Sequence, residues 1–244
     1  MTVRRLGYTA LCLWGVLAFH GPQLWLMVFL FSPRTGDGGL KDALFNALVL
    51  LLWGTIHSLL ARDPIKNRIA RVVGPDFVKL VYVSVAGITQ CLLLFLWRPL
   101  PGWHWQAQGL LYWILTFLFL ASMTAVFVSS LLLDYMEALG IRSVIRRMRR
   151  QPYRPMPLSL RGPYAYCRHP VYLFTLFFLW LGPTMNWTKL EFSLLATLYV
   201  IAGMFLEDRD TARHLGPAYA EYRNHVPILI PRLKPWKPRT NFFR

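Results

Sequence analysis

Six apolar runs, at about residues 8–31, 40–60, 77–97, 109–133, 170–186 and 190–206, restrict this chain more than any other feature. A helix rises about 1.5 Å per residue and the hydrocarbon core of a bilayer is about 30 Å thick, so about 20 apolar residues cross it. In that core a backbone polar group finds no water, so each crossing segment has to satisfy its own N–H and C=O groups as a helix. The expected class is all-α: a polytopic membrane helical bundle of about six transmembrane helices. Leu6 to Phe31 is too long for a cleaved signal peptide and shows no small-residue cleavage site. It reads as a retained helix that Gly21-Pro22 should kink or divide. With 55% hydrophobic residues in 244, no separate soluble domain of ordinary size is expected.

A net charge of +16 invites a nucleic-acid reading, and the placement of the charge argues against it. All but Arg34, Lys41, Arg98 and Lys189 of the 27 Lys and Arg residues fall on alternate connections and at the two ends. Basic residues stay on the cytoplasmic side of a membrane. The pattern therefore predicts an even number of spans with both termini cytoplasmic, and a basic face against anionic headgroups. Membrane lipids are expected partners and nucleic acid is not. Cys12, Cys91 and Cys167 have the spacing of neither a disulfide framework nor a metal site, and no metal is expected.

The connection "HSLLARDPIKNRIARVVG" is amphipathic, with Ile65, Ile69, Val72 and Val73 at helical spacing, and predicts a helix lying along the membrane surface. "QPYRPMPLS" breaks any helix before Arg161. The last two apolar runs are short and joined by "GPTMNW", which predicts a C-terminal helical hairpin. Its second helix continues into "LEDRDTARHLGPAYAEYRNHVPILIPR", helical to Gly216-Pro217, resuming near Tyr219 and stopping at Val226-Pro227. The expected organisation is one structural domain: a transmembrane scaffold over 1–160, then the hairpin with a cytoplasmic C-terminal segment over 161–244.

A hairpin brings its two open ends together, so the polar groups at Arg161–Tyr172 and Glu207–Tyr222 should meet. Arg161, Arg168 and His169 suit a carboxylate or phosphate, Arg being the better bidentate partner. Glu207 and Asp208 suit an ammonium, a sulfonium or sugar hydroxyls. Tyr164, Tyr166 and Tyr172 add π-faces for an adenine ring or a cation. A zwitterionic, nucleotide-like ligand such as S-adenosyl-L-methionine carries all the matching groups. The same residues also read more plainly: Glu207 and Asp208 as salt-bridge partners of Arg168 or Arg209, and His169-Pro170 as a helix start.

"RGPYAYCRHPVY", an apolar hairpin, and "LEDRDTARHLGPAYAEYRNHVPILIP" together resemble the C-terminal signature of the isoprenylcysteine carboxyl methyltransferase and phospholipid methyltransferase group. Upstream, "HSLLARDPIKNRIARVVG", "WRPLPGWHW" and "LGIRSV" followed by "QPYRPMPLSLRGPY" resemble the bacterial methanethiol S-methyltransferases and their NnrU-like relatives. The resemblance implies an enzyme of the bacterial inner membrane that moves a methyl group from S-adenosyl-L-methionine to a small lipid-soluble thiol. It implies that Arg168, His169, Pro170 and Tyr172 line the cofactor pocket with Glu207 and Asp208, and that Tyr219, Tyr222 and Arg223 fold back over it. Asp208 stands where that group usually has a second Glu. Gly203 and Met204 occupy the region of its expected catalytic Arg, which argues against a prenylated-peptide substrate. A thiol is a poor nucleophile until ionised. His57, Asp134 and Glu137 are the catalytic candidates on the substrate side, since an ionisable group in or beside a span is a functional candidate. Their plainer readings are a helix-end hydrogen bond for His57 and charge balance against Arg142 and Arg146 for the two acids. Methylation of a lipid amine or carboxylate, and a non-catalytic NnrU-like role in nitrogen-oxide metabolism, are the other functions compatible with the pattern.

Overall fold

The computed structural model of the chain describes residues 2–152 and 160–237. Its helices are α1 (Thr2–Phe31), α2 (Leu40–Leu60), α3 (Asp63–Val73), α4 (Val78–Leu96), α5 (Gly109–Leu131), α6 (Tyr135–Ala138), α7 (Ile141–Arg149), α8 (Pro170–Trp180), α9 (Trp187–Leu215) and α10 (Pro217–His225). Short 3-10 turns stand at Pro75–Phe77 and Gly162–Ala165, and strands β1 (His104–Gln106) and β2 (Thr184–Asn186) pair with each other. Among the described residues five helices, α1, α2, α4 with the turn before it, α5 and α9, are long and apolar enough to cross a membrane. Leu48, Leu51 and Leu52 on α2 and Trp113 and Phe117 on α5 are exposed. Such a surface would associate in water; lipid solvates it, and the protein is an integral membrane protein. The proline-rich break expected before Arg161 falls largely on 153–159, outside the described residues.

Pro22 does not divide α1, which runs through it unbroken. Proline has no N–H to offer the carbonyl four residues earlier, that of Ala18. At that point α4 closes in: a Cβ at Gly87 would stand 1.9 Å from the Ala18 carbonyl oxygen, so only glycine lets the two backbones meet there. One turn on, Gln90 Nε2 donates to the Pro22 carbonyl at 3.4 Å, and its Oε1 accepts from Gln23 Nε2 at 3.1 Å. Where lipid removes the hydrophobic drive between helices, close contact through small residues is what holds them.

The run at 170–186 is not one helix. Its helical part, α8, ends at Trp180, about 17 Å long against a core of about 30 Å. The nearly extended residues that follow, up to Asn186, add at most about 20 Å. Gly182, Pro183, Thr184 and Asn186 are buried, the condition under which non-helical backbone survives at membrane depth. By contrast α9 is continuous through Glu207 and Asp208 to Leu215, about 43 Å by its rise, so its charged last turns extend past the apolar part. Gly216, with φ 59°, makes the turn into α10.

The chain forms two compact units. The first contains α1 to α4, α6, α7 and the first turn of α9, and its loops are tied by uncharged side chains. Asn46 Nδ2 donates to the Arg98 carbonyl (2.9 Å) and to Glu191 (2.8 Å), while its oxygen accepts from the Arg98 N–H (2.8 Å). Asn186 Nδ2 donates to the Pro33 and Arg34 carbonyls (3.0 and 3.2 Å), and Thr188 accepts from the Leu100 N–H (2.8 Å). Beside them the buried Lys189 ammonium donates to the Thr184 carbonyl at 3.1 Å. The second unit contains α5, α8, the rest of α9 and α10. There α8 packs along α5, with Phe119 and Phe178 stacked at 4.7 Å. The antiparallel α8–α9 hairpin is fastened by Ser193 donating to the Leu179 carbonyl (2.9 Å) and Trp180 donating to Thr197 (3.0 Å).

Candidate functional site

Everything expected at the open end of the hairpin lies in the second unit. Pro170 is the first residue of α8, where a missing N–H is harmless. Just before it, the backbone N–H groups of Arg168 and His169 donate to the carbonyls of Pro227 (2.9 Å) and Ile228 (3.1 Å). The N–H groups of Arg232 and Trp236 donate back to Tyr166 (3.0 Å) and Ala165 (2.9 Å). The segment after α10 is thus strapped along residues 165–169.

A single buried carboxylate organises the strap. Asp208 Oδ1 accepts from Arg168 Nε (2.9 Å) and from the Tyr219 hydroxyl (2.6 Å), and His169 Nε2 lies 3.2 Å away. Its Oδ2 takes Arg168 Nη2 (3.3 Å) and has Arg223 Nε at 3.4 Å. Arg168 Nη1 reaches further, to the carbonyls of Arg223 and Val226, both at 2.9 Å. Those are the open carbonyls at the end of α10, where a cation is favoured.

Behind this hub Tyr219, Tyr222, Val226 and Trp236 form a buried cluster, with Leu160 and Ala212 against it. The Tyr222 hydroxyl donates to the Tyr164 carbonyl at 2.6 Å, and the Tyr164 hydroxyl to the Ser129 carbonyl of α5 at 3.2 Å. Burial raises the hydroxyl pKa of Tyr164, Tyr219 and Tyr222 above the ordinary tyrosine value, with the Asp208 carboxylate adding to it at Tyr219. Burial likewise pushes the Cys167 thiol up to about 11. At the rim, His225 stacks on Trp236 at 5.3 Å.

The acidic pair is therefore split. Asp208 faces inward at 3% exposure, while Glu207 is exposed and accepts a hydrogen bond from the Tyr172 hydroxyl. Arg161, at the start of the turn Gly162–Ala165, is also exposed. Of the expected ligand residues, Arg168, His169 and Asp208 meet one another, Tyr172 meets Glu207, and Tyr164 and Tyr222 are joined in the core. Helical period was the sequence signal for this division: Met204, Asp208 and Ala212 share one face of α9, and Glu207 falls off it. Tyr219 as the partner of Asp208, and the Asn46, Asn186 and Thr188 bonds, were not legible. Neither was the bond between the Tyr135 hydroxyl and His20.

The three catalytic candidates fare differently. Glu137, in the first unit, is buried and ion-paired with Arg146 (2.9 Å) and Lys79 (2.8 Å), with Ser143 donating at 3.2 Å. Burial alone would raise its carboxyl pKa, but hydrogen bonds from Arg146 and Lys79 outweigh that and hold it below the usual glutamate range. The carboxylate is thus ion-paired, in keeping with the plainer of its two sequence readings. His57, also in the first unit, shares a ring nitrogen with the Tyr82 hydroxyl at 2.7 Å and lies against Trp53 at 5.4 Å. Asp134 belongs to the second unit, follows α5, and is half-buried in a left-handed backbone conformation, φ 55°.

These features define a class: an integral-membrane helical protein whose last hairpin carries a buried charged hub beside an exposed carboxylate. No family model matches the chain, and no solved structure matches it. Several characterised proteins do. The methanethiol S-methyltransferase of Mycobacterium tuberculosis is 31% identical over 208 residues, covering 82% of this chain and 84% of that one. Methanethiol S-methyltransferase 2 of Bradyrhizobium diazoefficiens is 31% identical over 192 residues, covering 78% and 73%. Nurim of Sus scrofa is 29% identical over 178 residues, covering 66% and 65%. The chain belongs to the methanethiol S-methyltransferase family and is a membrane-integral methyltransferase.

Proposed function

We propose that this protein transfers a methyl group from S-adenosyl-L-methionine to a small lipid-soluble thiol, with methanethiol giving dimethyl sulfide. One observation supports the reading above others: adjacent carboxylates at the end of the hairpin are split, Asp208 bound in the hub and Glu207 left exposed against Tyr172. The groups at that surface fit the methyl donor. Glu207 is an acceptor for its ammonium or ribose hydroxyls, Arg161 a partner for its carboxylate, and Tyr166 and Tyr172 offer π-faces. When bound, S-adenosyl-L-methionine supplies an electrophilic methyl group on a cationic sulfur. The protein's own work is to seat it, to exclude water and to take the thiol proton.

Arg168, His169 and Asp208 act at one remove. They hold the strap and the start of α8 so that Tyr172 and Glu207 keep their geometry, the kind of positioning on which in-line displacement depends. Asp134 is the proposed proton acceptor. It sits in the same unit as the hairpin, and a backbone held in a rarely populated conformation is a mark of functional sites. His57, with its ring nitrogen bonded to Tyr82, is the second candidate. The basic connections further support a bacterial inner-membrane protein with both termini in the cytoplasm.

Calorimetric titration of detergent-purified protein with S-adenosyl-L-methionine and S-adenosylhomocysteine tests the reading, followed by a headspace assay for dimethyl sulfide. Micromolar binding and production of the thioether are expected. No binding by folded protein would overturn the proposal, and binding without thioether would move the acceptor to a lipid. Asp134→Asn should bind the methyl donor normally and lose turnover, while Glu137→Gln should change stability more than turnover per folded molecule.

A further inference from the structure

The strongest charged surface outside the hairpin belongs to the first unit, on α3 and α7, which both adjoin the turn Pro75–Phe77. Lys66, Arg68 and Arg71 on α3 and Arg147, Arg149 and Arg150 at the end of α7 are all exposed. The nearby acids are Asp63, 3.5 Å from Lys66, and Asp76, 3.7 Å from Arg147. Positive charge is left well in excess.

The position of α3 is set by its neighbours. It begins three residues after α2 ends and gives way to α4 across the short turn, and both flanking helices are long and apolar enough to cross the membrane. A helix tethered so closely at both ends lies at the depth where those spans leave the hydrocarbon. Ile65, Ile69, Val72 and Val73 fall on one arc of α3, with Lys66 and Arg68 on its two sides. Val72 is 85% exposed and Val73 40%, so the free edge of this arc is not covered by the protein itself. Long basic side chains beside an apolar edge let that edge sink while their charged ends stay at headgroup level.

We propose that α3, with the adjoining end of α7, is a binding surface for anionic phospholipid headgroups. Val72 and Val73 seat at the acyl boundary, and Lys66, Arg68 and Arg71 hold the lipid phosphates, assisted by Arg149. A zwitterionic headgroup carries its own ammonium into this positive field and is bound less well.

The test uses the full chain in detergent, with its thermal midpoint measured in micelles doped with phosphatidylglycerol, with phosphatidylcholine, or with inorganic phosphate at equal concentration. Retained lipid is counted in parallel by native mass spectrometry. Phosphatidylglycerol should raise the midpoint most, and the advantage should shrink as salt rises. Each basic residue near an anionic surface is worth roughly fivefold in affinity, so K66Q/R68Q/R71Q should bind phosphatidylglycerol about 100-fold more weakly. Val72→Ser should weaken binding of both lipids alike. Should the triple variant not fold, Arg68→Gln alone, expected to lose roughly fivefold, makes the same decision. Equal effects of the two lipids, an unchanged triple variant, or full reproduction of the shift by inorganic phosphate would each overturn the assignment.

Discussion

Two polar networks hold loops against helices in this molecule, and they are made of different material. Around Asn46, Asn186 and Thr188 the bonds run from neutral amide and hydroxyl groups mostly to backbone N–H and C=O, with one to the Glu191 carboxylate. The backbone bonds among them satisfy N–H and C=O groups of the connecting loops. Around Asp208 the donors are two guanidinium groups, an imidazole and a phenol, all directed at one carboxylate. A neutral network divides its work among many small bonds and leaves little for a ligand to take hold of. A charged hub concentrates the work on one residue, and the exposed Glu207 beside it remains open to a cation. The same fold can thus use polarity to seal one surface and to prepare another.

The contrast breaks most sharply at its centre. Asp208→Ala leaves the buried Arg168 side chain without its counter-charge and should cost about 3–5 kcal/mol, seen as proteolysis confined to the segment after Gly216. Asn186→Leu removes bonds to two carbonyls and should cost about 2 kcal/mol, spread over a normally cooperative thermal transition. Were the two variants to unfold alike, the distinction between concentrated and divided networks would fail. Glu207→Gln should weaken methyl-donor binding by about tenfold in calorimetry while changing stability by no more than about 0.5 kcal/mol.

The smallest effect is one of pH. The raised hydroxyl pKa values of Tyr164, Tyr219 and Tyr222 mean that their contribution is whole below the ordinary tyrosine value of about 10 and lost as pH rises beyond it. Glu137 has the opposite sign: its contribution is whole above the ordinary glutamate value of about 4.3 and lost as pH falls through its lowered one. Burial alone would raise the Asp208 carboxyl pKa, but Tyr219, Arg168 and His169 hold it below the usual range, so Asp208 has the same sign as Glu137. Alkali should therefore loosen the second unit, whereas acid should loosen both units, through Asp208 in the second and Glu137 in the first, as resolved by tyrosinate absorbance and by hydrogen exchange.

Much of the fold was legible because apolar length and helix-breaking residues are local signals. The runs now seen as α2, α5 and α9, the surface helix α3 and the stop at Gly216-Pro217 needed no knowledge of partners. Pro22 leaves α1 undivided, and the close approach of Gly87 beside it, far along the chain, had no local signal. Within the run at 170–186 the connection "GPTMNW" marked the joint of the hairpin, but apolar content alone did not show that its residues are buried extended chain. At the site, the meeting of the two polar clusters followed from the hairpin alone. Which member of the Glu207–Asp208 pair turns inward follows the helical period of α9, but its meeting with Tyr219 and Arg223 was not legible, because no spacing rule ties those residues to a carboxylate across a turn.

The meeting of Gly87 with the Ala18 carbonyl also bears on how the chain is made. The first span cannot finish its own bonding, because Pro22 withholds the donor that an uninterrupted helix would supply. Until the span bearing Gly87 has been synthesised and docked, α1 lacks the backbone that closes against its Ala18 carbonyl. Assembly thus joins a segment made early to one made two spans later, rather than pairing each helix with the next in order.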